Sequence, residues 1–353
     1  MRKLKLVIDI MIVMIVNFFK KDFSVFYIRE NADWVIKEIG ESIDKNIPFL
    51  KMHITISHYG IRNSIIHYGS IGTFIGKDKL KLPHKSNKII VTWFHVVPTE
   101  DRFELIKEAV EYVDIWHTAS NLTKKKMIEL GIPADKIIVI PLGVDLDYFN
   151  ILSIENKKER KKQLKISNNK LVLGSFQKDG NGWGEGLEPK LIKGPDTFCD
   201  VVEQLSKKYD LFVLLTGPAR GYVKQRLSKA NIPYRHEFLD NPNEVANYFQ
   251  VIDLYMVTSR EEGGPKSLLE AMASGIPLIS TKVGMAEDII VDNENGMLVE
   301  IEDNDGLYNK ACEIIENKNL QQKLIKNGLS TIKNYDWNLI SKQYYEKIYK
   351  ELL

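Results

Sequence analysis

Short runs rich in Ile, Val and Leu recur along the chain, most of them without strict alternation of polar and apolar residues, each separated from the next by a stretch of helical periodicity. The runs fall at 52–57, 64–67, 88–93, 115–119, 137–140, 171–176, 211–216, 254–257, 277–280 and 296–299. The amphipathic stretches fall at 33–43, 99–112, 121–130, 195–208, 223–229, 244–251, 265–273, 305–316, 320–334 and 337–350. A strand with one wet face alternates polar and apolar residues, and one covered on both faces does not. A chain that passes through a helix between such strands lays them parallel. The predicted class is α/β with doubly wound sheets.

Length sets the number of sheets. With 353 residues the chain is long for one core, and two domains are expected. Lys and Arg number 49 against 47 Asp and Glu, a balance that argues against a nucleic-acid binder. Cys199 and Cys312 stand far apart and make neither a disulfide framework nor a zinc site, which suits a cytoplasmic location.

The start of the chain poses a separate question. After Met1-Arg2-Lys3-Leu4-Lys5 comes an apolar run over 6–16, interrupted by Asp9. It is short of the roughly 20 apolar residues that span a bilayer, and no small-residue cleavage site follows it. We read it as a buried strand, with an interfacial membrane anchor as the second reading. The lysines at 77, 79, 81, 85 and 88 are read as a solvated basic face, with anionic lipid as the alternative.

Between the apolar runs near 140 and 171 the chain changes character. The segment 155–162, ENKKERKK, is a dense charge run, read as a solvated helix or linker. It suggests a hinge near 145–168. The predicted domains are 1–148, 149–335 and a tail, 336–353, that crosses back to the first domain.

The most informative text lies at 259–299. A strand ends in a polar turn containing Gly263 and Gly264, which let the backbone turn sharply and approach a ligand. Pro265 suits the first helical position and Gly275 the position just past the helix end. A helix N-terminus is thereby placed at the carboxyl end of a parallel strand, where open α/β sheets bind ligands. The amides of Gly264, Lys266 and Ser267 would favour a phosphate there. Glu262 stands at the mouth of the helix and Glu270 inside it, both able to accept hydrogen bonds from sugar hydroxyls.

The stretch EGGPKSLLEAMASG at 262–275 resembles the signature of family four retaining glycosyltransferases of the GT-B fold, also described as glycosyl transferases group 1. The family commonly carries an aromatic or apolar residue where this chain has Gly264. The resemblance extends upstream to Thr118-Ala119-Ser120 and Ile140-Pro141-Leu142-Gly143-Val144-Asp145, and downstream to Asn295-Gly296-Met297-Leu298-Val299. It covers the chain from about Ile89 onward. It implies two Rossmann-like domains facing a cleft, the first binding an acceptor and the second a nucleotide-sugar. Glu270 would hold the ribose and Glu262 would lie at the transferred sugar. The backbone at 263–267, with Gly263, Gly264, Lys266 and Ser267, would meet the donor, and Lys193 of Lys193-Gly194 would bind its diphosphate. His95, after the strand at 88–93, would lie near the reacting sugar.

One departure stands out. Many members carry an arginine soon after the glycine of the second domain's first strand, and this chain reads Gly174-Ser175-Phe176-Gln177-Lys178. Lys178 is the candidate for the missing charge, though a lysine lacks the arginine fork. The glycine-rich insert at 179–186 is read as a mobile loop over the cleft. Arg220 and Arg260 are weaker candidates for phosphate, and His67 is a second cleft candidate. Asp145-Leu146-Asp147 spells a D-x-D but is read as a turn or cap, and no metal or other cofactor is expected. The resulting reading is transfer of a sugar from a nucleotide-sugar to a hydroxyl of a glycan, polysaccharide or lipid-linked acceptor, with retention. No nucleic acid is expected as partner, and a peripheral contact with the inner face of a membrane is. Other GT-B chemistry (epimerase or phosphorylase) and a non-catalytic nucleotide-sugar binder are the alternatives.

Overall fold

The computed structural model describes residues 2–19, 24–31, 35–96 and 103–353. The chain forms two compact units, Met1–Leu142 with Trp337–Leu353, and Gly143–Asp336. These divisions lie a few residues from 148 and 335. Each unit is a six-stranded, all-parallel sheet flanked by helices.

The first unit contains β1 (Val25–Ile28), β2 (Met52–Thr55), β3 (Ile65–Tyr68), β4 (Lys88–Thr92), β5 (Ile115–Thr118) and β6 (Ile137–Val139), in the order β2-β1-β3-β4-β5-β6. All four residues of β1, β3 and β5 are buried, the signature of strands covered on both faces. The helix Trp337–Tyr344 packs in this unit against the helix Val35–Asn46, where Ser341 Oγ donates to the carbonyl of Ser42 (3.3 Å).

The second unit contains β7 (Leu171–Phe176), β8 (Leu211–Thr216), β9 (Tyr234–Glu237), β10 (Leu254–Val257), β11 (Leu278–Thr281) and β12 (Met297–Val299), in the order β12-β11-β10-β7-β8-β9. Counted within the unit, this is the dinucleotide-binding order in which the winding reverses between the first and fourth strands. The reversal therefore lies between β7 and β10. Leu173, Leu215, Leu254 and Ile279 share its core with Phe198 and Val202 of the helix Pro195–Leu205.

One expectation changes, one is narrowed, and one strand is added. The run at 6–16 is not a strand but part of the helix Arg2–Phe19. Eighteen residues without Gly or Pro exceed a usual strand of about 5–6, and the sheet takes the shorter segment Val25–Ile28 as its first strand. The charge run takes the first of its two expected forms, the helix Ile154–Gln163, and belongs to the second unit. Its Lys157 and Lys161 pair with Asp253 at 2.9 and 3.1 Å, and Asp253 also accepts from the amide of Val172 where β7 begins (3.0 Å). Strand β9, sequence YRHE, has no apolar run; it is a half-exposed edge strand held by its pairing with β8. Residues 99–102 of one expected helix, and 33–34 of another, lie outside the described residues.

Candidate functional site

The carboxyl ends of β7 and β10 are adjacent, and the chain that follows each is locked to the other. After β7 a short 3-10 turn, Leu191–Lys193, ends at Gly194, whose φ of +62° opens the helix Pro195–Leu205. A Cβ at Gly194 would stand 1.8 Å from the carbonyl oxygen of Thr258, just past β10, so both conformation and space require glycine. Thr258 Oγ1 donates to the carbonyl of Gly194 (2.8 Å), and the amides of Arg260 and Glu261 donate to the carbonyl of Ile192 (2.9 and 3.1 Å). Two loops far apart in sequence thus form one rigid corner.

Lys193 and Glu262 meet in this corner. Lys193 Nζ donates to Glu262 Oε1 at 2.6 Å, and Ser259 Oγ donates to the same oxygen at 3.0 Å. Ser259 is held in turn by its carbonyl, which accepts from Thr281 Oγ1 (2.7 Å). The Glu262 side chain is 8% exposed and that of Lys193 17%, so the pair is shielded but not sealed. Gly284, with φ +48°, packs its α-carbon against the carbonyls of Glu262 and Gly263. It is Gly284 and Gly194, rather than Gly263 or Gly264, that take the left-handed conformation here.

Further positive charge collects nearby. Burial, and then the ammonium groups of Lys193 and Lys178, push the Lys190 amine below its usual range, while Glu262 acts in the opposite sense. Lys190 is the residue that motif reading missed. Its signal is spacing: side chains three apart on a 3-10 turn eclipse one another, and the amide of Lys193 donates to the carbonyl of Lys190 (2.8 Å). Lys178 stacks its ammonium 4.1 Å from the centre of the Trp183 ring. A locally cationic edge with one acceptor carboxylate is suited to an anionic ligand that also carries hydroxyls.

The helix Lys266–Ala273 begins beside this corner, with Pro265 at its N-cap, one residue before the expected helical position. Glu270 is buried and pairs with Lys266 at 3.0 Å, and Lys266 Nζ sits 5.7 Å from the Phe149 ring. Ser267 hydrogen-bonds the Tyr255 hydroxyl, whose pKa burial pushes up to about 12. Lys193, Glu262, Gly263, Gly264, Lys266, Ser267 and Glu270 therefore share the carboxyl side of one sheet, with Lys178 two residues beyond β7. His95 belongs to the first unit, exposed and three residues past β4; its carbonyl accepts from Trp93 Nε1 (2.6 Å).

The weaker candidates have other tasks. Arg220 is fully buried. Its Nη1 donates to the carbonyls of Ser175, Gln177 and Thr216 at 2.8, 2.6 and 3.0 Å, and its Nη2 lies 3.1 Å from Asp179. With both Nη atoms held by protein groups and the residue 1% exposed, the guanidinium supports the loops rather than facing a phosphate. Arg260 forks onto Asp196 at 2.8 and 2.7 Å, a bidentate carboxylate contact that fixes the two loops. The 179–186 segment is anchored at both ends. Asp179 is buried on Arg220, and a Cβ at Gly186 would stand 2.2 Å from the Ala219 carbonyl. In Asp145-Leu146-Asp147, Asp145 Oδ1 accepts from the amide of Asp147 (3.0 Å), a local turn. Among the described residues no group of three or more His, Cys, Asp or Glu is placed to hold a metal ion.

His67 is wholly buried in the first unit, in a chain of hydrogen bonds. His67 Nδ1 meets Tyr349 Oη (2.7 Å), His67 Nε2 meets Thr92 Oγ1 (2.8 Å), and Thr92 Oγ1 meets His117 Nδ1 (2.9 Å). His117 Nε2 ends the chain between the carbonyl of Ile140 (3.1 Å) and Tyr344 Oη (3.2 Å). A carbonyl only accepts, so satisfying Ile140 with both rings neutral sets the proton order, with Tyr344 Oη as a second acceptor at His117 Nε2. His117 Nε2–H donates outward, Thr92 donates to His117, His67 donates to Thr92, and Tyr349 donates to His67. The ring is a structural tie between strands and the C-terminal helix, not a site residue.

Comparison with known proteins agrees with this geometry. The glycosyl transferases group 1 family matches residues 187–331. An uncharacterised glycosyltransferase of Methanocaldococcus jannaschii is 30% identical over 167 residues, 45% of each chain. The UDP-Gal:alpha-D-GlcNAc-diphosphoundecaprenol alpha-1,3-galactosyltransferase of Escherichia coli is 26% identical over 221 residues, 59% of this chain and 54% of that protein. The chain spans about half the length of the curated relatives it matches. Among solved structures, Anabaena HepE in complex with UDP and glucose superposes with a TM-score of 0.75 over 93% of this chain and 100% of that one, at 16% identity. The second unit is thus built around a glycosyl transferases group 1 domain, on a chain with the GT-B fold.

Proposed function

We propose that the chain transfers a sugar from a nucleotide-sugar donor to an acceptor hydroxyl with retention of configuration. The observation that carries this reading is the Lys193–Glu262 pair at the strand-order reversal, beside the N-terminus of the helix Lys266–Ala273. In this reading the second unit binds the donor. Lys193, Lys178, Lys190 and the amides of Gly263, Gly264, Lys266 and Ser267 neutralise its diphosphate, and Glu270 exchanges Lys266 for the ribose hydroxyls. Glu262 accepts from a hydroxyl of the transferred sugar. As the glycosidic bond to the diphosphate lengthens, charge builds on the leaving oxygen. A pre-placed cation and helix end stabilise that charge more than they do the ground state. The acceptor attacks from the same face and passes its proton to the departing phosphate oxygen. The first unit binds the acceptor, with His95 near the reacting carbon, and no metal is required.

The acceptor is read as a glycan or a lipid-linked sugar, with the enzyme peripheral on the inner face of a membrane. Support comes from the lipid diphosphate named for the Escherichia coli relative. Among the described residues no helix is long and apolar enough to cross a membrane. Incubation with donor and a mixed acceptor pool, followed by NMR of the new anomeric centre, tests the reading. A product with the donor's configuration supports it. An inverted product, or one formed only with free phosphate as acceptor, contradicts it.

A further inference from the structure

The helix Arg2–Phe19 is docked the wrong way round for a helix that faces water. Among the described side chains, its two polar ones, Asp9 and Asn17, point toward the body of the first unit. Asp9 Oδ2 accepts from Thr55 Oγ1 and from the amide of Ile56 (3.2 Å), just beyond β2. Asn17 donates to the carbonyl of Gly60 (3.1 Å) and accepts from the amide of Arg62 (3.2 Å). Between them Val13, 4% exposed, enters the core of the first unit, with Val16 packed beside it. Gly60, at φ +83°, has room only for a hydrogen where Met14 crosses it.

The other face is apolar and open. Val7, Ile8, Met11, Ile12, Ile15 and Phe18 are each about half exposed or more, Phe18 at 81%. At 3.6 residues per turn they span an arc of about 140°, while Asp9, Val13, Val16 and Asn17 occupy the opposite side. A surface helix of a globular protein shows the reverse pattern. Scattered apolar side chains need no explanation, but a contiguous face on one helix does. Its polar residues serve as anchors, so the apolar ones are the surface presented.

The rim of this face is basic and aromatic. The loop that receives Asn17 carries Tyr59 and Arg62, both exposed. The neighbouring turn is tied to that loop by Asn87 Nδ2 on the carbonyl of Ile61 (2.9 Å) and by the amide of Asn63 on Ser86 Oγ (3.0 Å), and it presents Lys85. An apolar helix face bordered by cations and a tyrosine matches the layers of a bilayer interface with anionic headgroups. We propose that this helix is a membrane-docking surface, lying in the plane of an anionic bilayer and holding the first unit against it. The inference gives a surface to the peripheral contact proposed above. It stands on the helix's own geometry, so it can fail while donor binding survives.

Flotation with phosphatidylglycerol–phosphatidylcholine vesicles, and with phosphatidylcholine alone, tests it on the full chain without donor. Ile12→Glu with Ile15→Glu alters only exposed side chains, and circular dichroism checks that the fold is kept. The wild type is expected to float with the anionic vesicles, less so at high salt, and the double variant to lose at least about 10-fold in partitioning. Lys85→Glu weakens binding by a smaller factor. Three results overturn the proposal: no flotation with either vesicle, flotation unchanged by the double variant, or sedimentation showing a wild-type dimer that the double variant makes monomeric. The last would assign the face to a second copy of the chain.

Discussion

In the unit Gly143–Asp336 the polar groups beyond the strands are charged and partly open to solvent. In the other unit the most elaborate polar cluster is neutral and sealed within the sheet. Lys193 and Glu262 keep part of their surface accessible, whereas His67 and His117 have none. Both units are six-stranded parallel sheets, so the sheet alone does not determine which edge does chemistry. What differs is the compensation. The charged pair satisfies itself in a way a stronger anionic ligand can replace. The neutral chain is complete from Tyr349 to Ile140 and needs nothing more.

The contrast is open to direct attack. The largest effect is expected at Arg220, a buried charge of the second unit that supports loops together with Asp179. Arg220→Met strands Asp179 and three carbonyls, and breaking a buried pair costs about 3–5 kcal/mol. Urea unfolding followed by hydrogen exchange should register the loss in β7 and β8 and leave β3–β5 unchanged. Next comes Lys193→Ala. Removing one pre-placed group that stabilises transition-state charge lowers kcat by about 10²–10³, and steady-state transfer rates should show it while Tm barely moves.

The third effect is a pH dependence. Burial lowers the pKa of both imidazoles in the buried chain of the first unit, His117 to about 4 and His67 well below the ordinary value, His67 with a further push from His117. Unfolding then takes up protons once the pH falls below about 6.5. The stability held by these neutral rings is lost between 6.5 and 4, amounting to about 3 kcal/mol for His117 at the low end. In the second unit Asp179 carries the opposite slope, while the single histidine there, His236, lowered by burial, follows the sign of His67. Burial, opposed by Arg220, raises Asp179 to about 6, so its contribution falls as pH rises from about 4 to 6. Hydrogen exchange of each sheet across this range should show β3–β5 loosening first on acidification; parallel behaviour of the two sheets would erase the distinction. The smallest effect is Tyr349→Phe, which leaves His67 Nδ1 without a donor. About 1–2 kcal/mol should be lost, read as a lower urea midpoint with donor affinity unchanged.

Much of this contrast was legible before the fold was known. The residues 254–275 read as strand, polar turn and helix because each local preference agreed with the next. Glu262, Lys193 and Glu270 fell where the motif placed them on the carboxyl side of the sheet. What escaped reading depended on contacts distant in sequence. The roles of Arg220 and Arg260 follow from Asp179, Asp196 and carbonyls that only the folded chain brings near. The helix Arg2–Phe19 escaped because its polar residues, Asp9 and Asn17, are eight apart and face inward, which looks like an interrupted apolar run. Strand β9 escaped because an edge strand needs no apolar face of its own. Lys190 was visible in the text, but its meaning depended on a 3-10 turn.

The central claim is that the corner made by Lys193 and Glu262 binds a nucleotide-sugar diphosphate. Thermal unfolding of the wild type and of Lys193→Ala against UDP-, GDP-, ADP- and dTDP-sugars tests it most directly, since a ligand bound only by the folded state raises Tm by mass action. The account predicts that at least one donor raises the wild-type Tm in proportion to the logarithm of its concentration, and that Lys193→Ala loses most of that rise. A wild type indifferent to every donor, or a variant that responds as the wild type does, would contradict it.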